Sequence, residues 1–314
     1  VHLINVWCPR LKSLEAIVHT SLCILLARVK SADIIHIHAI GPALLAPLAR
    51  LLGLKVVMTH HGFDYERKKW NGVAKAALRA GEMFGVLFSH RVIVISNNIK
   101  ETLQQKYPHK RFDVIPNGVT QHKILPRGDA ILKYGIGRKK YIFTACRFVP
   151  EKGLHDLIKA YGAIGKKDFL LVIAGGEDHP SEYGTLIRSL AEQHGAILTG
   201  KIFGQELDEL YSNAALFVLP SSHEGFPISL LEALSYGVPV LVSDIAANLE
   251  IPLRDARHFE TGNVQDLKDH IAQLIDEKID TQEIEGLKKL VEKSHNWERI
   301  AQKNVVVYDE IQAS

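Results

Sequence analysis

Leu216-Phe217-Val218-Leu219-Pro220-Ser221-Ser222-His223-Glu224-Gly225-Phe226-Pro227-Ile228-Ser229-Leu230-Leu231-Glu232-Ala233-Leu234-Ser235 contains, in order, a short apolar strand, a polar turn and an apolar helix. Four apolar residues without alternation suit a strand buried on both faces, the condition of a parallel sheet. Pro227 suits the first helical position, where a missing N–H costs nothing. The unit read here is therefore strand, loop, helix, with the loop at the carboxyl end of the strand.

The same unit recurs in both directions. Towards the C-terminus, Pro239–Val242 reads as a strand. Towards the N-terminus, Glu206–Asn213 reads as a helix, Tyr183–His194 as another, and Phe169–Ala174 and Tyr141–Cys146 as strands, with Leu154–Gly162 helical between them. In the first part of the chain Ala32–His38, Lys55–Thr59 and Arg91–Ile95 are short and β-branched. Pro42–Leu52, Val73–Phe88 and Ile99–Tyr107 lie between or after them with helical spacing, and Ser96-Asn97-Asn98 offers an N-cap. Such alternation implies an α/β fold of two Rossmann-like, doubly wound parallel-sheet domains. A strand that ends in the turn residues Pro116-Asn117-Gly118 marks the boundary. The expected division is residues 1–120, a linker at 121–140, a second domain at 141–295, and a returning helix at 296–314. Val1–Cys8 reads as a strand.

The length of 314 residues accommodates two cores. Ile40–Leu54 is the longest apolar stretch, but Pro42, Pro47 and Arg50 interrupt it, so it reads as a buried helix rather than a membrane span. Three scattered cysteines (Cys8, Cys23, Cys146) supply neither a disulfide framework nor a zinc site and favour a reducing, cytoplasmic setting. The net charge of +3 is unevenly placed. Residues 1–120 hold 16 basic and 7 acidic residues, and the remainder 22 and 28. A basic first half suits an anionic surface or acceptor. Lys68, Lys75 and Arg79 share one helical face near Trp70, opposite Val73, Ala77, Ala80 and Phe84, so that peripheral contact with an anionic membrane is one reading of the stripe and a solvated face the other.

Chemistry concentrates at strand ends. The N–H groups of Ile228, Ser229 and Leu230 at a helix start form an anion site suited to a diphosphate. Glu224 lies in the loop ahead of them, and Glu232 about 7.5 Å further along the axis. One carboxylate reaches sugar hydroxyls and the other a ribose diol. An acid and nucleophile pair of a glycosidase is disfavoured, because the helix start would attract phosphate. Arg147 and Lys152, in Cys146-Arg147-Phe148-Val149-Pro150-Glu151-Lys152-Gly153, straddle the turn after the first strand of the second domain, where two cations would neutralise a departing diphosphate. His61, beside Gly62, ends a strand of the first domain. His36, His38 and His60 lie nearby, but no carboxylate or cysteine pattern makes a metal site of them. No Gly-x-Gly-x-x-Gly follows a strand, which speaks against a dinucleotide dehydrogenase.

Glu224-x7-Glu232, with Gly225-Phe226-Pro227, Glu232-Ala233-Leu234 and Gly237-Val238-Pro239-Val240, resembles the signature of the retaining family 4 glycosyltransferases of the B-fold class. Arg147 and Pro150-Glu151-Lys152-Gly153 are similar to that family's phosphate clamp. Ala174-Gly175-Gly176 and Gly200–Tyr211 resemble its donor loops, Pro116-Asn117-Gly118-Val119 its hinge-proximal turn, and Trp297-Glu298-Arg299-Ile300 its returning helix.

The resemblance implies transfer of a sugar, with retention, from a nucleoside diphosphate bound in a cleft between two domains to an acceptor hydroxyl. The pathway it implies makes cell-surface polysaccharide, lipopolysaccharide or glycolipid. Catalytic roles fall to His61, Arg147, Lys152 and Glu224. Donor contacts fall to Gly176, Ile202, Phe203, Gly225, Phe226, Pro227, Ile228, Ser229, Leu230 and Glu232. Partners are a nucleotide sugar and a lipid-linked or oligosaccharide acceptor, with no nucleic acid and, absent an Asp-x-Asp motif, no metal or other cofactor. The family's opening strand and glycine-rich loop have no counterpart before His61, so the first βα unit is expected to be missing. That keeps open a nucleotide-sugar-binding module without turnover; a second rival is a sugar-nucleotide epimerase of the same fold, which would need no acceptor.

Overall fold

The computed structural model describes residues 2–9, 15–67, 70–165, 168–278 and 280–313. The chain forms two compact units, one holding residues up to Asn117 together with those from Glu298 onward, the other Gly118–Trp297.

The first unit begins with α1 (Glu15–Val29), then β1 (Ile34–His38), α2 (Ile40–Ala43), α3 (Ala46–Leu51), β2 (Lys55–His60), α4 (Gly72–Phe88), β3 (Arg91–Val94), α5 (Asn97–Lys106) and β4 (Phe112–Val114). The four strands are parallel in the order β1-β2-β3-β4. Alternate residues of β2 face opposite ways, as a period of two requires. Val56 and Met58 pack with Ile24, Ile40, Ala43 and Ala46, while Val57 joins a separate cluster with Ile93 and Ile115. The expected Ser96 cap accepts the Ile99 N–H at 3.2 Å. One expectation fails here. Residues 2–9 form no strand, and Leu3 and Trp7 are exposed. Without a partner strand to bond its polar backbone, an apolar segment gains nothing by extending. On α4, Val73 and Ala77 face outward, and the buried side is Gly81, Glu82, Gly85 and Val86. A Cβ on Gly81 would lie 2.0 Å from the Ile40 carbonyl oxygen, and one on Gly85 2.3 Å from the Met58 sulfur. The helix thus packs by closeness of backbone rather than by its larger side chains.

The second unit contains α6 (Asp129–Lys133), β5 (Lys140–Ala145), α7 (Leu154–Ile164), β6 (Phe169–Ala174), α8 (Glu182–His194), β7 (Ile197–Gly200), α9 (Gln205–Ser212), β8 (Leu216–Leu219), α10 (Ile228–Ser235), β9 (Val240–Ser243), α11 (Ala246–Leu249), β10 (His258–Phe259), α12 (Val264–Asp276) and α13 (Thr281–Ser294). Its six parallel strands run β10-β9-β8-β5-β6-β7. Ile142, Leu171, Leu216, Val218 and Leu241 face α7, α8 and α12, whereas Tyr141, Phe143 and Phe217 turn the other way, Phe143 and Phe217 meeting the Tyr211 ring of α9 and the Tyr141 hydroxyl donating to the Leu210 carbonyl. Both faces of this sheet are covered. Residues 121–140, expected as a linker, belong to this unit. Buried Glu209 accepts the N–H groups of Gly128, Ala130 and Ile131 at 2.7–3.2 Å and so caps α6.

The last helix, α14 (Trp297–Gln312), returns to the first unit, where Ile300, Val307 and Ile311 cover Val57, Ile93 and Ile115.

Candidate active site

In a parallel sheet all strands end on one side, so the loops after β5, β6, β7 and β8 meet there. Close backbone approach locks them together. Gly153 takes φ +63° and a Cβ on it would lie 2.1 Å from the Pro220 carbonyl oxygen. Gly175 takes φ +129°, with its Cβ position 1.8 Å from the Cys146 carbonyl oxygen. Backbone bonds complete the seam: Ser222 N–H to Glu151 O at 2.9 Å, Phe148 N–H to Gly176 O at 2.9 Å, and Gly175 N–H to Gly200 O at 2.9 Å.

The seam brings together residues far apart in sequence. Lys152 Nζ donates to Glu224 Oε1 at 2.5 Å, and both side chains are largely buried. Such a pair persists because either charge alone would be costly. The thiol of Cys146, beside Lys152, Glu224 and Arg147, is pushed up to about 12, burial being the dominant cause; it is a neutral wall, not a nucleophile.

A cavity of about 360 Å³ opens next to Arg147, lined by Gly175, Gly176, Lys201, Ile202 and Phe203 among others. Its walls are mainly apolar, and Phe203 stands 78% exposed at its edge. Asp178 receives Lys201 at 2.7 Å and has Arg147 at 3.8 Å. Lysine and then guanidinium hold this carboxyl below its usual range. Of the residues expected at a donor site, Arg147, Gly176, Ile202 and Phe203 line this cavity; Lys201, Asp178 and Leu207 line it without having been expected.

At α10 the expectation is partly corrected. Pro227 is the N-cap rather than the first helical residue, and its carbonyl accepts the N–H of Leu230 at 3.1 Å. Leu230 therefore has no N–H to offer an anion and its side chain is fully buried; the first two helical N–H groups, of Ile228 and Ser229, are those a helix leaves without an internal acceptor. Gly225 is half-buried in the loop. Phe226 and Pro227 are buried, and Phe226 packs on His295 with ring centroids 5.4 Å apart, so their part is to hold the loop. Glu232, one turn into the helix, accepts the Tyr211 hydroxyl at 2.9 Å; burial, the largest influence, raises its carboxyl above the ordinary range. Beneath it Tyr211 stacks on Tyr236 at 5.0 Å, and Tyr236 on His122 at 4.7 Å, with Asp208 accepting the Tyr236 hydroxyl at 2.6 Å. Nothing in the sequence pattern singles out this aromatic stack.

In the first unit, His61 follows β2 and its Nε2 lies 3.0 Å from His38 Nδ1. His38 stacks on His36 at 4.2 Å, confirming their shared strand face, and His36 contacts Tyr308 and Thr59 at 2.6 and 2.7 Å. Burial, then His38 and His60, lower His61 to about 4, and burial with His38 and His61 lowers His36 to about 3. His61 is thus a neutral hydrogen-bonding group at pH 7. Buried His60 contacts Glu82 at 3.4 Å and accepts the Gly62 N–H at 3.2 Å, fixing the turn that presents His61. Among the described residues no group of three or more His, Cys, Asp or Glu side chains is arranged to hold a metal ion.

Residues 130–303 match the family described as glycosyl transferases group 1, and residues 3–122 match glycosyltransferase family 4. The chain belongs to the glycosyl transferases group 1 family. The group 1 match contains the second-unit residues of the loop seam and of the cavity, and His61 and His122 fall in the family 4 match. Among curated relatives, this group 1 chain is 31% identical over 233 residues to the UDP-Gal:alpha-D-GlcNAc-diphosphoundecaprenol alpha-1,3-galactosyltransferase of Escherichia coli, covering 69% of this chain and 59% of that enzyme. It is 26% identical to the N-acetyl-alpha-D-glucosaminyl L-malate synthase of Bacillus anthracis, covering 91% and 76%. The chain spans about three fifths of the length of several curated relatives, 59% to 63% in three of them. Among solved structures, Anabaena Alr3699/HepE in complex with UDP-glucose superposes with a TM-score of 0.79 at 16% identity, covering 96% of this chain and 84% of that one, which establishes the B-type glycosyltransferase fold.

Proposed function

We propose that this group 1 member transfers a sugar from a nucleoside diphosphate to the hydroxyl of a lipid-linked acceptor, with retention of anomeric configuration. The observation that carries the reading is the seam of strand-end loops in the second unit, which sets an apolar cavity rimmed by Phe203 beside Arg147, the Lys152–Glu224 pair and the start of α10. The cavity suits a nucleoside base, which Phe203 would stack. Glu232 takes the ribose diol. Arg147, Lys152 and the N–H groups of Ile228 and Ser229 take the diphosphate, and Glu224 orients the sugar. His61, neutral at pH 7, donates to or accepts from a sugar hydroxyl.

In the reaction the bond from the anomeric carbon to the β-phosphate oxygen breaks. The acceptor oxygen bonds to that carbon on the same face, and its proton passes to the departing phosphate. Charge grows on the leaving diphosphate as the bond breaks, and fixed cations there stabilise that state more than the bound donor. The reading assigns that task to Arg147 and Lys152 rather than to a divalent ion. Support for a lipid-linked acceptor comes from the galactosyltransferase relative, whose name carries a diphosphoundecaprenol acceptor.

The test is calorimetric titration of UDP, GDP and their sugars, followed by transfer assays on a polyprenyl-diphosphate sugar with and without chelator. Saturable binding of one nucleotide and chelator-insensitive transfer are expected. A folded chain that binds neither nucleotide sinks the reading; donor binding without transfer leaves a binding module, and conversion of the free sugar nucleotide an epimerase.

A further inference from the structure

Helices α9 and α10 clasp each other through two tyrosines and two carboxylates, a contact that the proposed reaction does not yet use. Asp208 and Tyr211 lie three residues apart on α9, and Glu232 and Tyr236, the C-cap, four apart on α10, so each pair shares one helical face. The bonds are reciprocal. The Tyr211 hydroxyl donates to Glu232 Oε2 at 2.9 Å, and the Tyr236 hydroxyl to Asp208 Oδ1 at 2.6 Å. Between them the two rings stack at 5.0 Å, 2° from parallel.

The Tyr211 ring has no room to turn. It is 1% exposed, with Phe217 against it at 5.7 Å, 26° from parallel, and Phe143 edge-on at 4.9 Å. A tyrosine so enclosed needs a partner for its hydroxyl, and Glu232 supplies it. Burial, then the Glu232 charge, push this hydroxyl well above its usual range, so it stays a donor. The two carboxylates differ in what is left of them. Asp208 is also met by His122, whose Nδ1 lies 3.4 Å away and whose ring stacks on Tyr236 at 4.7 Å. Glu232 gives Oε2 to Tyr211, while its Oε1 receives no hydrogen bond from any described residue. Packing of the two helices does not itself require the acid, since apolar groups of the same shape in place of both partners would serve nearly as well.

We infer that Tyr211 is a positioning residue for donor binding: it holds one oxygen of Glu232 in place and so leaves the other set for the ribose diol. The inference rests on the donor reading, in which Glu232 takes that diol. A carboxylate already held has less freedom to lose when the ligand arrives. The same bond supports the charge that the diol needs. Burial works against the ionised carboxylate, the Tyr211 bond and then His122 favour it, and Asp208 opposes it.

The experiment compares native protein, Tyr211→Phe, Glu232→Ala and the double substitution by calorimetric titration of UDP and GDP from acidic to alkaline pH. Carbon-detected NMR follows the Glu232 carboxyl without nucleotide. Tyr211→Phe keeps the ring and removes only the hydroxyl, so the fold should persist. Its nucleotide binding should weaken by about tenfold at neutral pH, as for a lost bond to a charged group. On acidification its affinity should begin to fall at a higher pH than in native protein, and the Glu232 carboxyl should titrate higher as well. In the Glu232→Ala background the same change should cost no further affinity. Equal losses in both backgrounds, or a carboxyl whose titration does not move, overturn the inference and leave Tyr211 a packing residue. So does native affinity in Tyr211→Phe when the native chain binds nucleotide. A folded native chain that binds neither nucleotide removes the donor reading and this inference together.

Discussion

Glu232 illustrates how one carboxylate serves two opposed requirements. Its burial raises the folded-state pKa, so the folded chain binds a proton more readily than the unfolded chain does. Stability from this group is therefore present at low pH and is lost as pH rises from the unfolded value through the raised folded one. A ribose diol needs the ionised form as acceptor. Glu232→Gln keeps an acceptor for the Tyr211 hydroxyl while removing the charge. Its expected effects are weaker nucleotide binding by about 1–3 kcal/mol, as for a bond to a charged group, and a melting temperature higher than native above the raised pKa but not below it. Calorimetry and thermal melts in acidic and neutral buffer check the pair; a variant that binds nucleotide as well as native removes Glu232 from the donor site. Lys152 and Glu224 make the second residue-scale case. Removing one partner of a buried pair strands the other, at about 3–5 kcal/mol. Lys152→Ala should thus be destabilised by that order, and Lys152→Ala with Glu224→Ala by clearly less, measured by denaturant unfolding. These pairings were legible in part. The spacing of Glu224 and Glu232 and the turn holding Arg147 and Lys152 stand out in the sequence, but that Lys152 meets Glu224 depends on two loops 72 residues apart being clasped by Gly153 and Ser222.

At the scale of elements, legibility followed burial. The strands evident in the sequence include every inner strand, β2, β3, β5, β6, β8 and β9, whose two covered faces demand unbroken apolar runs. The strands that escaped notice, β7 and β10, and β4, legible only as a strand ending in the turn at Pro116-Asn117-Gly118, are all at sheet edges. With one flank unpaired they are short and mixed, as in Phe112-Asp113-Val114 and His258-Phe259, and nothing in their composition separates them from loops. The packing face of helix α4 was not legible for another reason. It is apolar on two sides, and side-chain size favours Val73, Ala77, Ala80 and Phe84 as the core face, whereas the absence of a Cβ at Gly81 and Gly85 decides it. Glycine acts the same way in the active-site seam, where a prediction separates shape from backbone freedom. Gly175→Ala forces a Cβ to 1.8 Å from the Cys146 carbonyl, while Gly195→Ala, at φ +72° after α8, meets nothing within 4 Å. Both pay for a positive φ, of order 1–2 kcal/mol, but only Gly175→Ala must also displace the β5 loop that carries Arg147. Gly175→Ala should be the less stable of the two and should lose nucleotide affinity, with Gly195→Ala binding as native; equal losses in both would show that the seam does not shape the site.

For the whole molecule, the chain path matters more than either sheet alone. It leaves the first unit at Asn117 and returns to it at Glu298, and the two passages lie side by side, with Val119 N–H donating to His295 O at 2.7 Å and Gly118 lying under the Trp297 ring. The turn at Pro116-Asn117-Gly118 and a helix from Trp297 returning toward the first domain are both visible in the sequence, but not which of its residues complete that domain's core. Ile300, Val307 and Ile311 are all under 5% exposed against Val57, Ile93 and Ile115, and Lys55 Nζ donates to the Ile311 carbonyl at 2.7 Å. Each isoleucine or valine buried there is worth roughly 1.5–3 kcal/mol, comparable to a large share of a domain's net stability. Ending the chain after Trp297 should therefore unfold or strongly destabilise the first unit and leave the second, Gly118–Trp297, with its core of Ile142, Leu171, Val218 and Leu241 untouched. Scanning calorimetry should then show the transition of the first unit lowered or missing and that of the second near its native temperature, with nucleotide binding retained, since every donor-site residue proposed to hold the nucleotide belongs to the second unit. Loss of both transitions together would mean that the two units fold as one, and that the returning helix supports the donor site as well as the sheet it covers.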